Sequence, residues 1–331
     1  MLVFPLPKNS EQTLPSEPLQ EPSQVSRPLL EYFGNDQAAS LRQFVSEKPE
    51  SPEEVRRGRS LAILSGKGGV GKTNIAVNLA LAAGQEGARV VVLDADLGLA
   101  NVDILFGMMP RYNLSHVITG EKSLEDIIVT VDENVKVIPG GAGIQALAEL
   151  DPYRREELLQ KFAALERTED FLLVDTAAGI YESVLSFALA VETVLLVTTP
   201  EPTSIRDAYG VLKALSRTGE GAKKDVRLLV NMAYNEEDAQ SVAERIQMAA
   251  NQFLEMTVPY VGYVPWDPNI RKAVQKRRPF YLSYPSTGAS KALSSIARRL
   301  FFSQEIQKER TSSFPETGGI REFFLRLIKK R

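Results

Sequence analysis

Hydrophobic residues in this chain form short runs that alternate with stretches of a different period. Seven such runs are LAILS (61–65), RVVVLD (89–94), VKVIP (135–139), FLLVD (171–175), TVLLVTT (193–199), VRLLVN (226–231) and VPYVGYVP (258–265). Segments between them, such as KTNIAVNLALAAG and DAYGVLKALS, carry apolar residues at helical spacing. Strands that are apolar on both faces and alternate with helices predict an α/β fold, a mostly parallel sheet with helices on both faces.

The two ends of the chain lack this alternation. Residues 1–59 hold 8 of the 19 prolines, and such a segment buries too little apolar surface to offset its ordering entropy, so we predict a flexible N-terminal tail. Residues 303–319, SQEIQKERTSSFPETGG, are typical of a linker. The predicted folded domain therefore covers residues 60–302, and a short segment, 320–331, follows the linker.

That last segment, IREFFLRLIKKR, has the pattern of an amphipathic helix with a basic polar face. A short basic amphipathic helix on a flexible linker is typical of a membrane-targeting element that binds anionic lipid. The alternative is a terminal helix docked on the protein's own core. The apolar stripe consists of Ile320, Phe323, Phe324, Leu327 and Ile328.

Composition excludes several kinds of site. The 331 residues include no cysteine and one histidine, His116, which excludes disulfides, thiolate zinc sites and cysteine-ligated iron–sulfur clusters. A formal net charge of -3 gives no overall basic field that would attract nucleic acid. The sequence has no apolar run long enough to span a membrane and its first residues lack a secretory leader, so we expect a cytoplasmic protein.

The strongest motif is SGKGGVGKT at residues 65–73, between the first predicted strand and the first predicted helix. Its glycines allow backbone N–H groups to surround phosphates, and the following helix N-terminus adds partial positive charge. Lys72 is expected to reach the β- and γ-phosphates, and Thr73 to ligate Mg²⁺. The predicted nucleotide-contacting set is Gly66, Lys67, Gly68, Gly69, Val70, Gly71, Lys72, Thr73 and Asn74.

Three carboxylates follow predicted strands. Asp94 and Asp96 lie in LDADLGLANVD (93–103), and Asp175 lies in LLVDTAAG (172–179). Each one alone is more typical of a helix cap or a turn. Ligands of open parallel sheets bind at the carboxyl ends of the strands, so three carboxylates beside one phosphate loop predict a magnesium–nucleotide site. Mg²⁺ keeps several waters, so one hydroxyl and water-bridged carboxylates suffice.

A second lysine in the loop, Lys67, is the signature of the deviant Walker A motif. With the carboxylates above, it makes residues 60–302 resemble the MinD/ParA family of dimeric ATPases. The resemblance implies that the nucleotide is ATP. It also implies that Lys67 reaches across a homodimer interface to the partner's ATP, so that dimerisation and ATP binding are one event.

The same resemblance assigns roles at the strand ends. It implies that Asp96 positions the attacking water, that Asp94 lies near the metal, and that Asp175 holds Mg²⁺ through water. Gly179 matches the glycine of the second switch loop. Asn231, at the end of VRLLVN, matches an adenine-contacting asparagine, although a polar residue that ends a strand is an equal alternative.

Missing features select among the branches of this family. The nitrogenase iron protein, the iron–sulfur scaffold ATPases and the arsenite-pump ATPases use cysteines, and this chain has none. The tyrosine kinases of this fold end in a tyrosine cluster, which is also missing. The segment 320–331 disfavours a ParA-type DNA-partitioning ATPase. The basic run 270–280 is interpreted as a solvated helix face, so nucleic acid is an unlikely partner.

The N-terminal tail contains NDQAASLR at residues 35–42, at the start of a helix-prone segment, 36–45. Asp36, Gln37, Leu41 and Arg42 match the DQAxxLR motif of FlhG (FleN/YlxH) flagellar regulators. The resemblance implies control of flagellar number and placement, activation of an FlhF-type GTPase through this segment, and binding to flagellar basal-body components. It also implies reversible attachment to the inner face of the cell membrane. A MinD-type division-site regulator and a ParA-type ATPase remain the alternatives.

Overall fold

The computed structural model describes residues 58–96, 101–141, 150–302 and 319–329 of the chain. The predicted activator segment 36–45 lies outside the described residues, as does most of the predicted linker, 303–318.

The described residues form one eight-stranded sheet in the order β3-β4-β2-β5-β1-β6-β7-β8. Only β3 is antiparallel to its neighbour among the described pairs, so the predicted mostly parallel sheet is confirmed. The additional strand β3, VTVD, is a short edge strand that is only half-buried, so it lacks the continuous apolar run of the inner strands. The strands are β1 Arg59–Leu64, β2 Val90–Ala95, β3 Val129–Asp132, β4 Val135–Ile138, β5 Phe171–Thr176, β6 Thr193–Thr198, β7 Asp225–Ala233 and β8 Tyr260–Pro265.

Helices cover both faces of this sheet. Alternate residues of β1 point to opposite faces: Leu61 and Ile63 belong to one hydrophobic cluster, and Ala62 and Leu64 to the other. The described α-helices are α1 Lys72–Gln85, α2 Val102–Phe106, α3 Leu114–Ile118, α4 Leu124–Ile127, α5 Pro152–Thr168, α6 Glu182–Ala190, α7 Pro202–Ser216, α8 Glu236–Leu254, α9 Pro268–Gln275, α10 Phe280–Ser283, α11 Gly288–Phe301 and α12 Ile320–Lys329. One 3₁₀ helix spans Glu220–Lys223.

The order of the strands determines where the site lies. β1 is central and pairs in parallel with β5 on one side and β6 on the other. β2 pairs with the far side of β5, so that Asp94 lies opposite Asp175 in the register. The carboxyl ends of β1, β2 and β5 therefore bring the phosphate loop and the predicted carboxylates to one edge of the sheet.

The C-terminal helix α12 docks on the protein's own core. Ile320, Phe323, Phe324 and Ile328 are fully buried, where α12 packs against α5 and α6. The rings of Phe324 and Phe162 stack with their centroids 3.4 Å apart. The structure thus shows the docked arrangement that the sequence left as an alternative, and the apolar stripe predicted to bind lipid is covered by protein.

The fifth residue of the stripe, Leu327, is half-buried beside the same cluster. Within the described parts of the chain, no helix combines the length and the apolar character needed to cross a bilayer. A membrane role for α12 therefore requires the helix to leave its groove and lie along the lipid surface.

Candidate functional site

The phosphate loop connects β1 to α1. Gly69 and Gly71 have φ angles of 81° and 91°, in the left-handed region that glycine adopts without strain. Helix α1 begins after Gly71, and no side chain caps its N-terminus. Because the first N–H groups of a helix lack intrahelical partners, the start of α1 offers donors and partial positive charge to an anion.

Distant parts of the chain hold this loop in shape. The side-chain amide of Asn231, at the end of β7, donates a 2.8 Å hydrogen bond to the carbonyl oxygen of Val70. On the other side, a Cβ at Gly66 would lie 2.1 Å from the backbone oxygen of Asp207 in α7. Gly66 is therefore required for close packing of the loop against α7. The Oδ1 atom of Asn231 is buried without a hydrogen-bond partner, so its acceptor remains available.

Lys72 lies at the start of α1 and is almost completely buried. Burial lowers its pKa, and the nearby carboxylates of Asp175 and Asp96 oppose that effect. The ammonium group is therefore close to both predicted carboxylates, where it can pair with phosphate charge.

Asp175 is completely buried at the end of β5, and neither of its side-chain oxygens has a hydrogen-bond partner with good geometry. Burial raises its pKa to about 7, and the nearby Thr73 hydroxyl opposes that shift. A buried carboxylate is costly unless cations compensate it, and the nearby Lys72 ammonium offsets only part of the effect of burial. This arrangement fits a magnesium ion held by the Thr73 hydroxyl and, through water, by Asp175.

Both carboxylate oxygens of Asp94 accept hydrogen bonds from backbone N–H groups. Its Oδ2 atom accepts the backbone N–H groups of Asn101 at 3.1 Å and Val102 at 3.2 Å, and Oδ1 accepts the N–H of Asp96 at 3.2 Å. Burial raises the pKa of Asp94 to about 6, and these hydrogen bonds oppose the shift. Asp94 therefore binds the start of α2. This is the helix-capping role that is the more typical one for a single aspartate considered by itself.

The described residues contain no cluster of three or more His, Cys, Asp or Glu side chains that could hold a metal directly. Asp96 is half-buried at the end of the described segment that follows β2, close enough to Lys72 to affect its pKa.

Lys67 projects towards the start of α7. Its ammonium group forms an ion pair with Glu201 and donates a 3.0 Å hydrogen bond to the hydroxyl of Thr203. Sequence reasoning missed Glu201. The sequence did contain a signal for Glu201, because this acid follows a buried strand and so lies at the edge of the sheet where ligands bind.

The loop after β5 contacts the phosphate loop directly. The N–H of Gly179 donates a 2.8 Å hydrogen bond to the carbonyl oxygen of Ser65, and Gly179 has a φ of 108°. Ile180 and Tyr181, which lead into α6, are exposed. The loop after β5 therefore joins the phosphate loop to α6, the helix that packs against α12.

Comparison with known proteins agrees with this geometry. The family model described as ParA, NUBPL iron-transfer P-loop NTPase, matches residues 57–301. The chain belongs to the ParA/MinD family of P-loop ATPases. Iron transfer by thiolates is not available to this ParA/MinD member, because its sequence contains no cysteine.

Of two relatives of this ParA/MinD ATPase, one is named as an antiactivator and the other as a flagellum site-determining protein. It is 42% identical over 240 residues to the antiactivator FleN of Pseudomonas aeruginosa, covering 72% of this chain and 85% of FleN. It is 32% identical over 302 residues to the flagellum site-determining protein YlxH of Helicobacter pylori, covering 89% and 99% of the two chains. The predicted resemblance to FlhG-type regulators is confirmed.

A solved structure supports the fold. The septum site-determining protein MinD of Pyrococcus horikoshii OT3, complexed with Mg-ADP, superimposes with a TM-score of 0.59 at 27% identity. The match covers 77% of this chain and all of the MinD chain. The P-loop ATPase fold predicted from the alternating strands and helices is thereby confirmed.

Proposed function

We propose that this ATPase dimerises when it binds ATP, attaches reversibly to the inner face of the cell membrane, and regulates the number and placement of flagella. The proposal that the protein hydrolyses ATP at this site rests on the proximity of Lys72, Asp175 and Asp96 beside the phosphate loop. The similarity to FleN and YlxH supports the flagellar part.

In the proposed mechanism the loop N–H groups and the start of α1 bind the phosphates of ATP, and Lys72 neutralises charge on the β- and γ-phosphates. The Thr73 hydroxyl would ligate Mg²⁺, and Asp175, with Asp94 nearby, would hold the ion through water. When bound, the ion offsets the negative charge that develops on the phosphates. Asp96 orients the attacking water. The unpartnered Oδ1 of Asn231 would accept a hydrogen bond from the amino group of adenine.

Dimerisation requires Lys67 to change partners. In the described chain it is held by Glu201 and Thr203. We propose that bound ATP in a second protomer offers a stronger anionic partner, so that Lys67 leaves Glu201 and contacts the other subunit's phosphates. The exchange replaces one charge-assisted contact with another, which keeps the dimer reversible.

Membrane attachment requires α12 to leave its groove. One released amphipathic helix binds lipid weakly, whereas two helices on one dimer bind much more strongly through avidity. Dimerisation then determines attachment. The anionic membrane surface favours the basic face of the helix, which includes Arg321 and Arg326.

The N-terminal segment 36–45 completes the proposal. Gln37 and Arg42 have the chemistry to orient a water and to neutralise phosphoryl charge in a partner GTPase, and Asp36 and Leu41 have the chemistry of a helix cap and an apolar anchor. We propose that this segment activates an FlhF-type GTPase, while the ATPase domain contacts flagellar basal-body components.

The variant Asp96→Ala tests the proposed function in cells. It retains the phosphate loop and Lys67, so ATP binding and dimerisation should persist while turnover falls by about 10²–10⁴. In a flagellated host that lacks the native gene, this variant should fail to restore the normal flagellar count seen by electron microscopy. The wild-type gene is the positive control.

Two other outcomes would count against parts of this proposal. Normal flagella with misplaced division septa would indicate a MinD-type regulator, which the MinD neighbour supports. Normal turnover by purified Asp96→Ala would contradict the assignment of Asp96 regardless of the cellular role.

A further inference from the structure

The stretch from α9 to α11 has an unusual charge distribution. Residues 268–302 contain no aspartate and no glutamate, although the whole chain has a net charge of -3. The stretch is therefore a strongly basic part of an acidic protein. Its cations are Arg271, Lys272, Lys276, Arg277, Arg278, Lys291, Arg298 and Arg299.

Two cations at the end of α11 have structural partners. Arg298 pairs with Glu86 at 2.6 Å, and Arg299 donates to the carbonyl oxygen of Val261 at 3.0 Å. The others on α9 and its C-terminal turn are exposed, and none forms an ion pair within the described residues. We call this group the basic helix surface; it consists of Arg271, Lys272, Lys276, Arg277 and Arg278.

Crowding five like charges on one short helix and the turn that follows it costs free energy, because like charges close to one another repel. Lys272 and Lys276 are one such pair. Protein surfaces usually intersperse charges of both signs. A cluster to which the described residues supply no ion pair therefore matches an anionic partner that supplies the missing charge.

Apolar side chains accompany these charges. Val274 follows Arg271 by one helical turn and is 36% exposed, and Leu282 of α10 is 38% exposed. The aromatic residues between them, Phe280 and Tyr281, are buried, so the segment from Val274 to Leu282 presents no exposed aromatic ring on which bases could stack. Cations interleaved with aliphatic side chains fit an acidic peptide with apolar residues better than a nucleic acid.

The surface is also held in a fixed position. Arg277 has a left-handed φ of 51°, and its carbonyl oxygen would lie 3.0 Å from a Cβ at Gly107. Gly107, with a φ of 66°, ends α2, whose start is bound by Asp94. The turn thus packs tightly on an element of the nucleotide site, so a partner would meet a preorganised surface.

We propose that the basic helix surface is a docking site for an acidic peptide segment that carries apolar residues, on a partner protein. Main contacts are ion pairs to Lys272, Lys276 and their neighbours, with Val274 and Leu282 against the apolar side chains of the peptide. This site is distinct from the nucleotide-binding residues and from the groove of α12.

The test uses the full chain and a fluorescent fifteen-residue peptide of glutamate, aspartate and leucine, with binding followed by anisotropy. The double variant Lys272→Glu/Lys276→Glu should bind this peptide roughly tenfold or more weakly than the wild type. Lys213→Glu/Arg217→Glu, a matched pair of exposed cations four residues apart at the C-terminal end of α7, should bind as the wild type does. Both variants should keep the wild-type melting temperature and ATPase rate.

Three comparisons decide the nature of the partner. A peptide with leucine replaced by glycine should bind more weakly, and equal binding would overturn the apolar part of the proposal. Duplex DNA or phosphatidylglycerol vesicles that bind more tightly than the peptide, and lose binding in Lys272→Glu/Lys276→Glu, would overturn the choice of a protein partner. Unchanged peptide binding by that variant would overturn the site itself.

Discussion

A substitution in the groove beneath α12 that weakens its contacts with the helix should release α12 without altering the lipid-binding face of the helix. Phe162 of α5 is the suitable position, because it is fully buried, stacks on Phe324 and belongs to the groove. In Phe162→Ala the docked state loses this contact, whereas the released helix is unchanged. We therefore expect vesicle binding without ATP.

The magnitude follows from the contact that is lost. An aromatic pair contributes about 0.5–1.5 kcal/mol beyond burial, and burial of a large apolar side chain contributes about 1.5–3 kcal/mol. Part of the burial of Phe162 persists when α12 leaves, so we assign roughly 1.5–3 kcal/mol to docking. That corresponds to an increase of about 10- to 150-fold in the ratio of released to docked helix.

Sedimentation with phosphatidylglycerol vesicles measures this release. Phe162→Ala should sediment more than the wild type in the absence of nucleotide, and ATP should add little. The matched control is Phe324→Ala, which removes the other half of the same stack from the helix. It should sediment less than the wild type with ATP, because the lipid-binding face has lost an aromatic side chain.

A folded Phe162→Ala that sediments like the wild type without ATP would refute the reasoning. Circular dichroism and a single cooperative melt establish that it is folded. The milder Phe162→Leu, which keeps most of the volume, serves if alanine prevents folding, and it should lie between the wild type and Phe162→Ala.

Two further predictions concern the nucleotide site. Glu201→Gln removes the charge that holds Lys67 and should lower the ATP concentration needed for dimerisation, as measured by light scattering. Lys67→Ala should bind nucleotide but stay monomeric. A Glu201→Gln variant that needs as much ATP as the wild type would contradict the exchange of partners. The second concerns Asp175, whose folded pKa of about 7 lies above the usual 3.8. The folded state binds more protons between these values, so the free energy of unfolding of the nucleotide- and magnesium-free protein should fall as pH rises from about 4 to 7. Asp175→Asn should reduce this slope in denaturant titrations, and an unchanged slope would place the titration elsewhere.

The sequence predicted the sheet and the phosphate loop well, because each depends on local pattern: buried parallel strands are continuous apolar runs, and the loop motif is contiguous. Prediction from the sequence failed where the side chain that contacts a site residue lies far away along the chain. The contact between Lys67 and Glu201 joins residues 134 positions apart; the position of Glu201 after a buried strand indicates an acid near the site but does not identify Lys67 as its partner. The apolar stripe of α12 was correctly identified, but a stripe of this kind packs equally well on lipid or on Phe162.

The hydrogen bond from Asn231 to Val70 has a consequence for synthesis of the chain. It links the phosphate loop to a residue 161 positions later, and Gly66 likewise packs on α7. A nascent chain that has emerged only through β6 carries the whole loop motif but not the residues that shape the loop. ATP affinity should therefore arise late during translation, after β7 has joined the sheet. Retention on an ATP resin would then separate ribosome-bound chains that have completed the sheet from those that have not.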